Sequence, residues 1–167
     1  MKKILLLLLT FSLFFACNKD DEPTPENWTE DDNIFRCKVN GVDWEPEGDG
    51  LGFSGGNLDV YYESFFNNAI QIRASKDNDN VSQFLSMFVG VDLAVNGKSE
   101  ILTNNVFVDY NSCGNYFRDT TVFNFIKFIE IDSINNIAEG EFEFIGLNSD
   151  CPDTIKVTDG YFKAKYR

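Results

Sequence analysis

Glu139, Glu141 and Glu143 recur at every second position, so they share one face of any strand they occupy. Paired carboxylates carry out glycoside hydrolysis when they flank a sugar cleft at separations of roughly 5–10 Å. With Asp109 they form the candidate hydrolytic set. Lys163 and Lys165 alternate on a later run and offer the competing reading, a solvated cross-strand ladder of ion pairs. Asp77-Asn78-Asp79-Asn80 carries the oxygen ligands calcium prefers, with Asp77 and Asp79 as the candidate ligands. It lacks the central glycine and distal bidentate glutamate of an EF-hand loop, so a polar hairpin turn competes with a calcium site. The chain contains no histidine. That removes the commonest general base and metal ligand together. No cofactor is expected beyond calcium, and no enzymatic activity.

Cys113 and Cys151 lie in polar, turn-like segments where a bridge would disturb no strand. A Cys113–Cys151 disulfide is expected, and closing its loop would stabilise the fold by roughly 3–4 kcal/mol on the chain-entropy model. It requires an oxidising compartment. Cys37 alternates with Phe35 and Val39 and reads as a small core hydrophobe. No close pair of the C-x-x-C type suggests zinc. Tyr61, Tyr116, Phe117 and Tyr161 stand off their strands' apolar parity or near turns and could form a sugar-binding platform. Against this, a domain with seventeen Phe, six Tyr and two Trp must expose some aromatics anyway. The glycine-rich stretch Gly48 to Gly56 precedes no helix, so a phosphate loop is unsupported.

The N-terminus points to an address. Lys2 and Lys3 precede an apolar run, Ile4 to Ala16, that is too short to span a bilayer, which needs about 20 residues. It suits the h-region of a signal peptide over residues 1–16. Phe14-Phe15-Ala16-Cys17 resembles a lipobox, although Phe14 and Phe15 depart from its usual Leu and Ala or Ser. The resemblance implies lipidation of Cys17 and attachment to a membrane through a lipid anchor. Asn18-Lys19-Asp20-Asp21-Glu22 resembles the lipoprotein export signal of Bacteroidota, which implies the outer face of the outer membrane; a solvated acidic linker is the plainer alternative. Residues 17–33, acidic and holding Pro23 and Pro25, read as a disordered tether. Trp28 is its exception, either docked on the domain or loose. Removing residues 1–16 takes two lysines and no acids, so the net charge of −13 becomes −15. Such a chain has no basic stripe to displace phosphate counterions, which argues against nucleic acid as a partner.

From Ile34 onward the dominant period is two. Phe35, Cys37 and Val39; Ile70, Ile72 and Ala74; Gly140, Phe142 and Phe144; and Phe162, Ala164 and Tyr166 alternate with polar neighbours. Val81 to Leu93 and Phe123 to Ile131 are apolar on both faces, the second with a parity slip near Phe125-Ile126 that suggests a bulge. Turn signals separate these runs: Asn40-Gly41, Asp77 to Asn80, Asn96-Gly97, Asn135-Asn136 and Asp159-Gly160. The pattern predicts one all-β domain over residues 34–167, an antiparallel β-sandwich or open barrel of about eight to ten strands.

Two blocks carry a family likeness. Phe35 to Trp44 resembles the opening F-x-A-x-V-N-G-x-x-W of small Bacteroidota lipoproteins of unknown function, with Cys37 in place of the family's Ala. Gly140-Glu141-Phe142-Glu143-Phe144 and Thr158-Asp159-Gly160-Tyr161-Phe162 are similar to its closing G-x-F-x-F and T-x-G-x-F pattern. The resemblance brings no activity and no catalytic residues. Asp119-Thr120-Thr121, Asp132-Ser133-Ile134 and Asp153-Thr154-Ile155 resemble bacterial Asp-Ser/Thr-apolar O-glycosylation sites. The sequence thus suggests a non-enzymatic envelope module that binds a glycan or another envelope protein. A carboxylate-based polysaccharide hydrolase and a calcium-stabilised module stand as alternatives.

Overall fold

The computed structural model describes residues 28–29, 32–48, 57–63, 69–90, 95–151 and 153–167. The predicted leader, Cys17, most of the tether and the glycine-rich residues 49–56 lie outside them. Eleven strands follow in order: β1 (Ile34–Val39), β2 (Val42–Trp44), β3 (Leu58–Glu63), β4 (Ala69–Asn78), β5 (Val81–Val89), β6 (Lys98–Glu100), β7 (Asn105–Asp109), β8 (Gly114–Arg118), β9 (Phe125–Asp132), β10 (Ile137–Leu147) and β11 (Thr154–Lys165). The fold is all-β and antiparallel, and the sheet is not closed into a barrel.

Strand β10 organises the topology. One edge pairs with β11; the other pairs with β9 along Ile137–Glu143 and with β8 at Gly146 and Leu147. The sheet therefore divides there. One layer runs β6-β9-β10-β11-β1-β2 and the other β8-β7-β5-β4-β3. Their inner faces meet in a single core rich in phenylalanine, with Phe107, Phe128, Phe142, Phe144 and Phe162 fully buried. Trp44 on β2 reaches across the layers. Its ring packs edge-on to Phe107, and its indole N–H donates to Gln83 Oε1 at 2.8 Å. Gln83 in turn donates to Asp109 Oδ2 at 3.0 Å, which anchors the indole through a part-buried polar chain.

The hairpin chemistry follows its residues. Asn40 and Gly41 both take positive φ, 50° and 81°, and Val39 pairs Val42 as a two-residue primed turn requires. Asp79 and Asn80 close β4 onto β5, and Asn78 Oδ1 accepts from the Asn80 and Val81 amides. Asp159-Gly160, expected as a turn, instead lies inside β11. Asp159 has φ 53°, and the pairing with both β1 and β10 skips residues there. A left-handed residue flanked by paired strands on both sides makes a bulge, because the chain has nowhere to reverse. The bulge in β9 is likewise displaced: Glu139 faces Glu130 and Gly140 faces Phe128, so the extra residue is Ile129 and not Phe125-Ile126. Strands β2 and β6, three residues each, are too short to establish a period of two.

The closing motif has a packing cause. Gly140 stands opposite Phe162, and Gly160 opposite Phe142. A Cβ on Gly140 would lie 2.8 Å from the Phe162 ring, and one on Gly160 would collide with the Phe142 ring and carbonyl. Each phenylalanine thus lies over the facing glycine, and the two G-x-F units interlock.

Candidate functional site

The interlock buries Phe142 and Phe162, so their neighbours Glu141 and Tyr161 face outward. Strand register then extends this outer position across five strands. Lys98 on β6 faces Lys127 on β9, Lys127 faces Glu141 on β10, Glu141 faces Tyr161 on β11, and Tyr161 faces Arg36 on β1. Adjacent strands lie about 4.8 Å apart, so this row is about 19 Å long. All five residues line one shallow depression of about 560 Å³, together with Glu143 and Asp159.

The row is held by pairwise contacts. Lys127 Nζ lies 3.5 Å from Glu141 Oε2. The Arg36 guanidinium sits 5.0 Å from the centre of the Tyr161 ring, and Lys98 Nζ 3.6 Å from that of Phe125. The Tyr161 hydroxyl donates to Glu139 Oε1 at 3.0 Å, and Glu139 also meets Lys163 Nζ at 3.7 Å. Burial, then the hydrogen bond to Glu139, pushes the Tyr161 phenol above its ordinary range, so it remains a donor in neutral water. The bulge turns Asp159 out to Lys38 at 2.9 Å. That contact, chiefly its hydrogen bond, raises the Lys38 ammonium above its ordinary range.

A second depression, of about 710 Å³, is bordered by β1, β3 and residues 165–167. Trp28, Arg36, Asp59, Lys165 and Arg167 are among its lining residues. Trp28 is docked there: its indole N–H donates to Asn33 Oδ1 at 2.9 Å, and Lys163 Nζ lies 5.6 Å from its ring centre. Arg167 donates to the buried Asp59 at 3.0 Å and stacks on Tyr61 at 4.7 Å, while its backbone pairs with Val60 and Tyr62.

The predicted site residues separate in space. Of the hydrolytic set, Glu141 and Glu143 line the first depression, and Glu139 borders it through Tyr161. Asp109 stands apart in the other layer, accepting from Gln83 and the Asn111 amide. The ladder forms at Glu139–Lys163 and continues on the other side as Glu141–Lys127, whereas Lys165 faces Ile137. Of the aromatic set, Tyr161 is in the row and Phe117 is exposed beside Leu147. The Tyr61 ring is covered by Arg167 and Arg73. Tyr116 is a correction: only 2% exposed, it packs on Phe107 and donates to Asp153, so it is a core residue and no platform.

Asp77 and Asp79 sit at the β4–β5 turn, and no group of three His, Cys, Asp or Glu suited to a metal occurs among the described residues. Cys113 and Cys151 are bonded, with Cα atoms 5.9 Å apart. Asn148 braces that corner, donating to the Cys113 and Asn115 carbonyls and accepting from the Asp150 and Cys151 amides. Cys37 is buried and free. At the three glycosylation-like triplets, Thr120, Ser133 and Thr154 are exposed beside aspartates that accept turn or neighbouring amides. Sequence reasoning did not single out Lys98, Lys127 and Arg36 as a group. The polar positions of Arg36 and Lys127 within alternating runs were the available signal; Lys98 lies on a strand too short to show one, and the juxtaposition of the three needs long-range register. No family model, curated protein or solved structure matches the chain.

Proposed function

We propose that the chain is a lipid-anchored, non-catalytic module of the bacterial envelope that binds glycans on the outward face of β6-β9-β10-β11-β1. The observation that carries this reading is the row Lys98–Lys127–Glu141–Tyr161–Arg36. A sugar chain presents hydroxyls that both donate and accept, together with apolar ring faces. A series of ammonium, carboxylate, phenol and guanidinium groups, with the Tyr161 ring among them, offers partners for both. The shallow, open form suits a polymer lying across the strands. Hydrolysis is less well supported, because Glu141 and Glu143 lie two residues apart on one strand, not on opposite walls of a cleft.

The anchor rests on the lipobox-like residues before Cys17 and the cell-surface address on the acidic residues after it. The family likeness fits the same reading, since its two G-x-F units are the ones that turn Glu141 and Tyr161 outward. A glycan array probed with the purified protein tests the binding face. Retention is expected, with loss in Tyr161→Ala and Lys127→Ala variants that melt like the parent. An array without hits would overturn the reading.

A further inference from the structure

We infer that the ligand of the row is an uncharged, extended chain of equatorially linked pyranoses, lying across the strands with one sugar over each; this rests on the glycan-binding reading above. The row supplies the repeat. Lys98, Lys127, Glu141, Tyr161 and Arg36 occupy directly paired positions on five successive strands, so a polar side chain recurs once per strand spacing, about 4.8 Å. A pyranose chain joined through equatorial bonds is extended and advances by close to one such spacing per sugar. An axially linked chain coils, advances less and loses the match. The five positions therefore make five subsites.

Charge excludes ionic chains. Among the described residues the depression that holds the row is lined by three cations, Arg36, Lys98 and Lys127, and by three carboxylates, Glu141, Glu143 and Asp159. Two of the carboxylates are already matched, Glu141 by Lys127 at 3.5 Å and Asp159 by Lys38 at 2.9 Å. A polyanion with an acid on every sugar would set one against Glu141, with Glu143 and Asp159 beside it. A polycation would set its ammonium groups against Lys98, Lys127 and Arg36. Either juxtaposition of like charges disfavours binding. Sugar hydroxyls meet neither: they donate to the carboxylates and accept from the ammonium and guanidinium groups. The Tyr161 phenol gives its proton to Glu139, which leaves its oxygen to accept from a further hydroxyl.

The experiment is calorimetric titration of the purified protein with cello-, xylo- and manno-oligosaccharides of increasing length, all neutral and equatorially linked. Malto-oligosaccharides supply the axial linkage, β-linked oligoglucuronates an acid on every sugar, and chitosan oligomers an amine. Affinity for at least one neutral equatorial series is expected to rise up to five sugars, then level off, and to change little with salt. Lys98→Gln or Arg36→Gln, at the ends of the row, should bring the plateau one sugar sooner and weaken long chains by roughly three- to tenfold. Glu141→Gln should raise affinity for the oligoglucuronates. Thermal melts of each variant separate these effects from misfolding. Equal affinity for malto-oligosaccharides, or a rise that continues past five sugars, would overturn the match of one sugar to one strand. Charged chains that bind the parent as tightly as neutral ones would overturn the selection by charge. Failure of all three neutral series, beside an array with other hits, would remove this inference and leave the binding face standing. An array without hits would remove the glycan-binding reading itself.

Discussion

Single residues carry two kinds of information, what they pack and what they can titrate. Cys37 is 4% exposed, and burial pushes its thiol up to about 12. It stays protonated in mildly basic buffer and hence unreactive, since the thiolate is the nucleophile. A thiol reagent at pH 8 should leave Cys37 of the folded protein essentially unmodified and label it fully once denaturant unfolds the chain, as read by peptide mass spectrometry. Rapid labelling of Cys37 in the native state would contradict the burial. Gly140 and Gly160 sit beneath Phe162 and Phe142. Alanine at either position overpacks the core, with an expected loss of about 1–3 kcal/mol in urea unfolding. A Gly160→Ala variant as stable as the parent would refute the interlock.

At the scale of elements, turns and staples set the geometry between strands. The Cys113–Cys151 bond ties the β7–β8 turn to the β10–β11 connection across 38 residues. Reduction, or the paired Cys→Ser replacement, is expected to lower stability by roughly 3–4 kcal/mol, read as a shift in the denaturation midpoint. Three aspartates brace turns or the approach to β1. Asp119 is held below the usual carboxylate range by the Thr121 hydroxyl and amide, and Asp132 by the Asn135 side chain and amide and the Ile134 amide. Asp32 is lowered by the amide and hydroxyl of Thr29. A carboxyl whose folded value lies below its unfolded one stabilises fully above the unfolded value, about pH 3.9, and loses that contribution as pH falls through the folded value. Stability should therefore decline on the acid side of pH 4. An Asp119→Ala/Asp132→Ala variant should show a flatter decline, measured as urea midpoints across pH 2–6.

For the whole molecule the expectations concern address and charge. If Cys17 carries the lipid, Cys17→Ser should shift the protein from the membrane fraction to the soluble one while leaving its thermal melt unchanged. Mass spectrometry of native protein should find acyl groups on that residue. A soluble parent would end the anchoring proposal. Calcium is the remaining alternative, and a melting temperature that EDTA does not lower would count against it. The carboxamide oxygen of Asn78, central to the suspected loop, already accepts two turn amides.

Alternation, turn dipeptides and cysteine placement determined the all-β class, the reversals at Asn40-Gly41 and within Asp77 to Asn80, the inward Cys37 and the disulfide. Each depends on neighbours within a few residues or on simple compartment chemistry, so each is written locally. Tertiary structure alone decided that Asp159-Gly160 is a bulge, that Tyr116 is core and that Glu141 meets Lys127. The same local signal serves a reversal or a kink, and only partners on both edges of β11 separate them. The row across five strands likewise exists only through register between segments as far apart as Arg36 and Tyr161, where hydrogen-bond pairing over long sequence separation, not side-chain type, sets which residues meet.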